Sequence, residues 1–291
     1  MTPDIQDREM RERIKDYQRE EITEYHIYKN LASSVKDANN SEILTRMSHE
    51  EKSHYNTWKK YTGEDVGPDK PKIWLYSLMG RILGVTFTIK LMENRENNAI
   101  VSYRKLEPFI PEAESIIRQE EDHEAKIISF IDEKRLQYVG SIVLGLNDAL
   151  VEFTGSLAGF TFALQDPTII AMVGFIMGIA ASLSMGASEY LSQKTDSGGG
   201  NPLTAATYTG LAYIVTVVVL ILPYLFLPDP FIALLFTLGG ALAIIVLFTF
   251  YTSVAKDLPF WKRFSEMAIL SMGIAAVSFI IGVIVRTAFG V

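Results

Sequence analysis

The chain contains no cysteine. That excludes disulfides, thiolate zinc sites and cysteine-ligated iron–sulfur clusters. One part of the chain is also nearly free of charge. Residues 137–291 hold 5 of the 27 Lys and Arg and 8 of the 34 Asp and Glu, whereas residues 1–136 hold 22 and 26. The two parts carry −3 and −4, giving −7 in all. With no positive excess, nucleic acid is not an expected partner. Histidine is scarce, and His26, His49, His54 and His123 all lie in the charged part. The first 21 residues alternate acids and bases without an apolar core, so no secretory signal is expected there. The charged part is therefore expected to stay in the cytoplasm.

What the charged part does have is helical periodicity. Ile22, Tyr25, Tyr28, Leu31, Ala32 and Val35 recur at helical spacing, which predicts a first helix from about residue 5 to 36. A polar break at 39–42, with Ser41 as the expected N-cap, opens a second helix to about residue 61. A loop rich in Gly and Pro follows at 62–72. A third helix is expected over about 73–106, and Pro108 and Pro111 separate it from a fourth that runs to about 135. Four helices with one longer connection form a four-helix-bundle pattern.

Possible metal ligands recur in these helices. The second carries Glu51-Lys-Ser-His54 and the fourth Glu120-Glu-Asp-His123. In each Glu-x-x-His, the i,i+3 spacing puts both side chains on one face. The first helix offers Glu20, Glu21 and Glu24, and the third offers Glu93 and Glu96. A Glu from each of two helices plus a Glu-x-x-His from each of the other two is the ligand set of a di-iron carboxylate site. Carboxylates bridge and neutralise two cations, and imidazole completes a coordination sphere suited to iron. One such motif would read as a solvated face, but two on alternate helices are a specific signal. His26 and His49 fall outside the pattern, and Trp58 and Trp74 are expected to be core or interface aromatics.

On these residues, the stretch from about 10 to 135 resembles the rubrerythrin branch of the ferritin-like superfamily. Tyr28, seven residues after Glu21, matches that branch, and the resemblance selects Glu21 from the three candidates. The implied di-iron set is Glu21, Glu51, His54, Glu93, Glu96, Glu120 and His123. The cysteine-bound iron module of true rubrerythrins has no counterpart here, so an internal electron relay is not expected. One stretch is ambiguous. Residues 73–92 are largely apolar and long enough to cross a bilayer, but Arg81 and Lys90 lie within them. They are read as a bundle helix partly buried against a second subunit or the membrane domain.

The sparsely charged part reads as five spans, at about 138–164, 168–192, 203–227, 231–255 and 263–289. Lys134, Arg135, Lys194, Lys256, Lys262 and Arg263 fall on one side, which predicts a cytoplasmic N-terminal domain. The first span carries Asn147, Asp148 and Glu152, and the second carries Met185 and Glu189. Ionisable groups at membrane depth mark pathways or buried hydrogen bonds. A thioether near a carboxylate offers a soft and a hard ligand to a transition metal. Glu266, near a span end, is expected to be structural.

The motifs LGLNDALVEFTGSLAG and SLSMGASEYLSQK, with five spans, resemble the vacuolar iron transporter family over residues 137–291. The resemblance implies a homodimer that exchanges Fe²⁺, or Mn²⁺, for protons. It places Asp148 and Met185 on the metal path, with Glu152 and Glu189 as further candidates for metal or proton transfer. The whole chain then resembles prokaryotic membrane-bound ferritins. The expected fold is all-α: a ferritin-like four-helix bundle over 1–136, then a five-helix transmembrane domain over 137–291. The implied activity is export of cytoplasmic iron across the cell membrane, with the bundle capturing or sensing iron. A membrane-anchored ferroxidase or peroxide-reducing di-iron enzyme is the alternative.

Overall fold

The computed structural model describes residues 8–92, 110–128, 138–195 and 201–289, with the side chains of residues 8 and 121–128 outside that description. The chain forms two compact units, Met1–Glu133 and Lys134–Val291.

In the first unit, α1 (Arg8–Ser34) and α2 (Ala38–Thr62) are joined by residues 35–37 and pack along each other. The N-cap of α2 is Asp37, not Ser41: its carboxylate accepts the Asn40 N–H at 2.9 Å and starts the helix earlier. Ser41 lies inside the first turn, and its hydroxyl donates to the Ala32 carbonyl of α1 at 3.0 Å. Helix α3 (Lys70–Ile82) begins on an Asp69 cap with a proline in its first turn. The expected third helix is not continuous. Leu83 closes α3, Gly84 takes φ +101°, and a new helix, α4, occupies residues 85–92. Only glycine adopts that φ without strain, so the break is written at Gly84. Helix α5 spans Ala113–Ile128.

Two buried clusters hold this unit. Ile27, Tyr28, Leu31, Leu44, Met47, Tyr76 and Ile89 join α1, α2, α3 and α4. Ile14, Trp58, Ile110, Ala113, Ile116 and Ile117 join α1 and α2 to the start of α5. The continuation of α4 beyond residue 92, and the expected join between the fourth helix and the first span, lie outside the described residues.

In the second unit, the run Val139–Asp148 (α6), a π turn at Ala149–Phe153 and Thr154–Leu164 (α7) follow one another directly. Next come α8 (Pro167–Thr195), α9 (Pro202–Phe226), α10 (Pro230–Lys256) and α11 (Phe260–Phe289). These last four are each long and apolar enough to cross a membrane. The starts of α8, α9 and α10 share one device, a proline preceded by Asp166, Asn201 or Asp229. In each case that side chain accepts two backbone N–H groups of the first turn. The outer surface is apolar, with Leu183, Phe226, Leu247 and Ile269 all exposed, as suits lipid.

Between the helices, hydroxyls replace bulk. Thr209 donates to the Ser141 carbonyl at 2.9 Å, Ser182 to that of Gly210 at 2.8 Å, and Thr237 to that of Leu220 at 2.9 Å. Away from water, such bonds join helices that have no hydrophobic driving force between them. Gly145 permits the closest approach: a Cβ there would collide with the Thr209 carbonyl.

Candidate functional site

In the first unit, α1 supplies Glu21, α2 supplies Glu51 and His54, and α5 supplies Glu120. Their ligand atoms all lie within 4.8 Å of one another, and all four side chains are buried. His54 is the hub. Its Nδ1 stands 2.9 Å from Glu120, 3.3 Å from Glu51 and 3.4 Å from Glu21. Its Nε2 stands 2.7 Å from Gln119 Oε1. An Nε2–H donated to Gln119 leaves the Nδ1 lone pair facing the three carboxylates, the tautomer a metal ligand needs. Trp58 Nε1 donates to Glu21 Oε1 at 2.9 Å and fixes the rotation of that carboxylate.

Three acids crowded in an apolar interior are costly without a cation. Burial pushes the Glu21 carboxyl up to about 8, against the pull of the His54 bond and charge. Burial works against the His54 imidazolium, but the bonds to Glu120 and Glu21 outweigh it, and its pKa rises well above the usual histidine range. Protons therefore occupy the cluster where a dication would offset the same charge. Three carboxylates and one imidazole, mutually in reach and oriented by Gln119 and Trp58, fit a divalent transition metal.

The three alternatives on α1 are separated by geometry. Glu21 joins the cluster, Glu20 is exposed, and Glu24 is buried with its carboxylate 3.8 Å from Lys72 Nζ. Glu93 and Glu96 and the side chain of His123 lie outside the described residues. His49 is exposed and His26 lies against Tyr25, both apart from the cluster. Sequence reading missed Trp58 and Gln119. Trp58 follows Glu51 by seven residues and His54 by four, so helical spacing already put it on the ligand face.

In the second unit, Asp148 ends α6 and Glu152 sits inside the π turn. Their carboxyl groups are within hydrogen-bonding reach of each other. Asp148 is half-buried, and Glu152 is exposed on this protomer's surface. A π turn is wider than an α turn and recurs at functional sites. Here the Leu150 carbonyl, inside the turn, accepts the Ser271 hydroxyl of α11 at 2.5 Å. Ser271→Ala leaves that buried carbonyl without its partner and is expected to cost about 1–3 kcal/mol. Ser271→Thr keeps the donor. Thermal melts of the detergent-solubilised variants check this, and equal loss in both would show that packing, not the hydrogen bond, holds the turn.

Met185 of α8 is half-buried against the core formed by Ala149, Leu150, Phe153 and Tyr213. Glu189 is buried and occupied differently: it accepts Ser141 Oγ at 2.7 Å and Gln193 Nε2 at 3.0 Å. That is an interhelical tie between α6 and α8. Glu266 is exposed and pairs with Arg263 at 3.5 Å.

Known proteins resemble the second unit above all. Residues 139–198, which hold Asp148, Glu152, Met185 and Glu189, match the model of the VIT family. Vacuolar iron transporter homolog 1 of Arabidopsis thaliana is 24% identical over 169 residues, covering 52% of this chain and 84% of the relative. No solved structure matches the chain.

Proposed function

We propose that the chain is a divalent-metal transporter that exports cytoplasmic Fe²⁺, with Mn²⁺ as a second cargo, in exchange for protons. The observation that carries this reading is the acidic pair Asp148 and Glu152 at a π turn, within an apolar helical run that matches the VIT family. The iron transporter named among its relatives supports iron as cargo. Asp148 and Met185 bind the ion in transit, and protonation of Asp148, Glu152 or Glu189 alternates with metal binding. An exposed Glu152 would face lipid in a lone protomer, which is costly. A homodimer that covers this face removes the cost. Val139–Leu164 serves as the first of five spans. The basic residues flanking the spans put the first unit in the cytoplasm, and the assembly sits in the cell membrane.

In this reading the first unit is a ferritin-like domain of the rubrerythrin type. Glu21, Glu51, His54 and Glu120 hold iron there, and Glu93, Glu96 and His123 complete a di-iron set. Bound iron would supply redox chemistry. The chain's own residues orient it through Gln119 and Trp58 and keep bulk water out by burial.

The test is metal uptake into proteoliposomes that hold an internal Fe²⁺-quenched dye, with a pH dye in parallel. Flux with opposite proton movement is the expected result, and no flux overturns the transport reading. A second reading is favoured by the burial of all four ligands, which suits a resident metal better than an open capture patch. The domain would then be a ferroxidase, or reduce peroxide. Oxygen consumption on adding Fe²⁺ separates this from capture or sensing, which consumes none.

A further inference from the structure

Helix α3 is inside out. Its inward face carries Tyr76 and Gly80, both buried against the bundle. Its outward face, at i, i+1, i+4 and i+8, carries Trp74, Leu75, Leu78 and Ile82. Trp74 is 68% exposed, Leu75 47% and Ile82 65%. A soluble helix normally turns such a stripe toward the core. Lys70 and Arg81, both exposed, edge the stripe, and among the described residues neither forms an ion pair. Beside Trp74, a cavity of 350 Å³ is lined by Lys70, Arg81, Asn30 and Ser77. Two cations, an amide and a hydroxyl around one opening are donors suited to a phosphate group.

We infer that α3 docks flat on an anionic phospholipid bilayer, with Trp74, Leu75, Leu78 and Ile82 below the headgroups and Lys70 and Arg81 holding phosphates. The combination is that of an interfacial helix: a tryptophan at headgroup level, aliphatics beneath, and long cationic side chains reaching out to the phosphates. A second copy of the chain fits less well. Thirteen residues make a helix about 20 Å long, and its outward strip is on the order of 200 Å². A stable dimer buries about 800 Å² per partner. Lysine is also depleted from protein interfaces. The inference needs only that the chain sits in a bilayer, and it stands whether or not the second unit transports metal.

The absence of cysteine makes the test direct. Leu75→Cys and Ile82→Cys are labelled with an environment-sensitive fluorophore in the full-length protein, reconstituted into nanodiscs. Ser53→Cys, exposed on α2, is the control. Brominated lipids are expected to quench the two α3 labels by about twofold and to leave the control unchanged. Quenching should weaken in purely zwitterionic discs and in a Lys70→Glu, Arg81→Glu background. α3 labels that stay unquenched overturn the inference: a blue-shifted, self-quenching signal then means that a second copy covers the helix, and a water-like spectrum means that nothing does. Equal quenching at Ser53 also overturns it, because contact would not be specific to α3.

Discussion

Asp148→Asn is expected to bring metal flux into proteoliposomes down to the protein-free background. Asparagine keeps the shape of the side chain and removes its charge. The half-buried carboxylate lies within hydrogen-bonding reach of Glu152, at the junction of α6 and the π turn. A dication that has shed water there depends on fixed negative charge. Removing one partner of a desolvated charge pair costs on the order of 3–5 kcal/mol, or a loss of about 100-fold or more in affinity. Glu152→Gln should lower flux less, because that side chain is the more exposed of the two. Unchanged melting and elution of the purified variants would show that the fold is intact. Flux retained in Asp148→Asn would move the route away from this pair.

The second large effect concerns the first unit. His54→Ala is expected to strip bound metal from the purified full-length protein, counted by mass spectrometry. The substitution removes the imidazole and leaves Glu21, Glu51 and Glu120 facing one another. Trp58→Phe keeps an aromatic ring but deletes the N–H that orients Glu21. Losing such an orienting bond typically costs about 10–100-fold in metal affinity. If Trp58→Phe binds metal as the parent does, the cluster is structural. The metal-free protein should also become less stable as pH rises. Glu21 is shifted from 4.5 up to about 8 in the fold, so the folded state holds a proton the unfolded chain releases. That stabilisation is complete below about 4.5 and is lost as pH climbs through about 8. His54, shifted upward from 6.5, acts in the same direction. Melting temperatures from pH 5 to 8 should therefore fall without metal, with a flatter slope in Glu21→Gln. Saturating metal, which displaces these protons, should stabilise the protein most at the alkaline end.

Sequence alone determined the partition into a charged and an apolar part, because a bilayer tolerates few charges and the composition changes abruptly near residue 136. It also determined that Glu51 and His54 share a helix face and that Asp148 and Glu152 are neighbours, since i,i+3 and i,i+4 spacing fixes both within one helix. Helix starts were less legible. Asp37 competes with Ser41 as the cap of α2, and only the backbone decides which carboxylate or hydroxyl meets an N–H. The break at Gly84 was legible as a glycine but not as a left-handed one.

Tertiary structure alone decided which acid of α1 meets the others. Glu20, Glu21 and Glu24 are equivalent in composition, and the rotation of α1 against α2 selects Glu21. It decided that Trp58 and Gln119 serve the cluster, because their bonds cross between α1, α2 and α5. It decided that Glu189 is held by Ser141, a residue 48 positions away, and that Ser271 reaches across 121 positions to the π turn. It also turned the apolar stripe of α3 outward. Spacing along one helix is local geometry that any sequence displays. Which faces of different helices meet depends on packing many side chains together, and no single stretch of sequence contains that information.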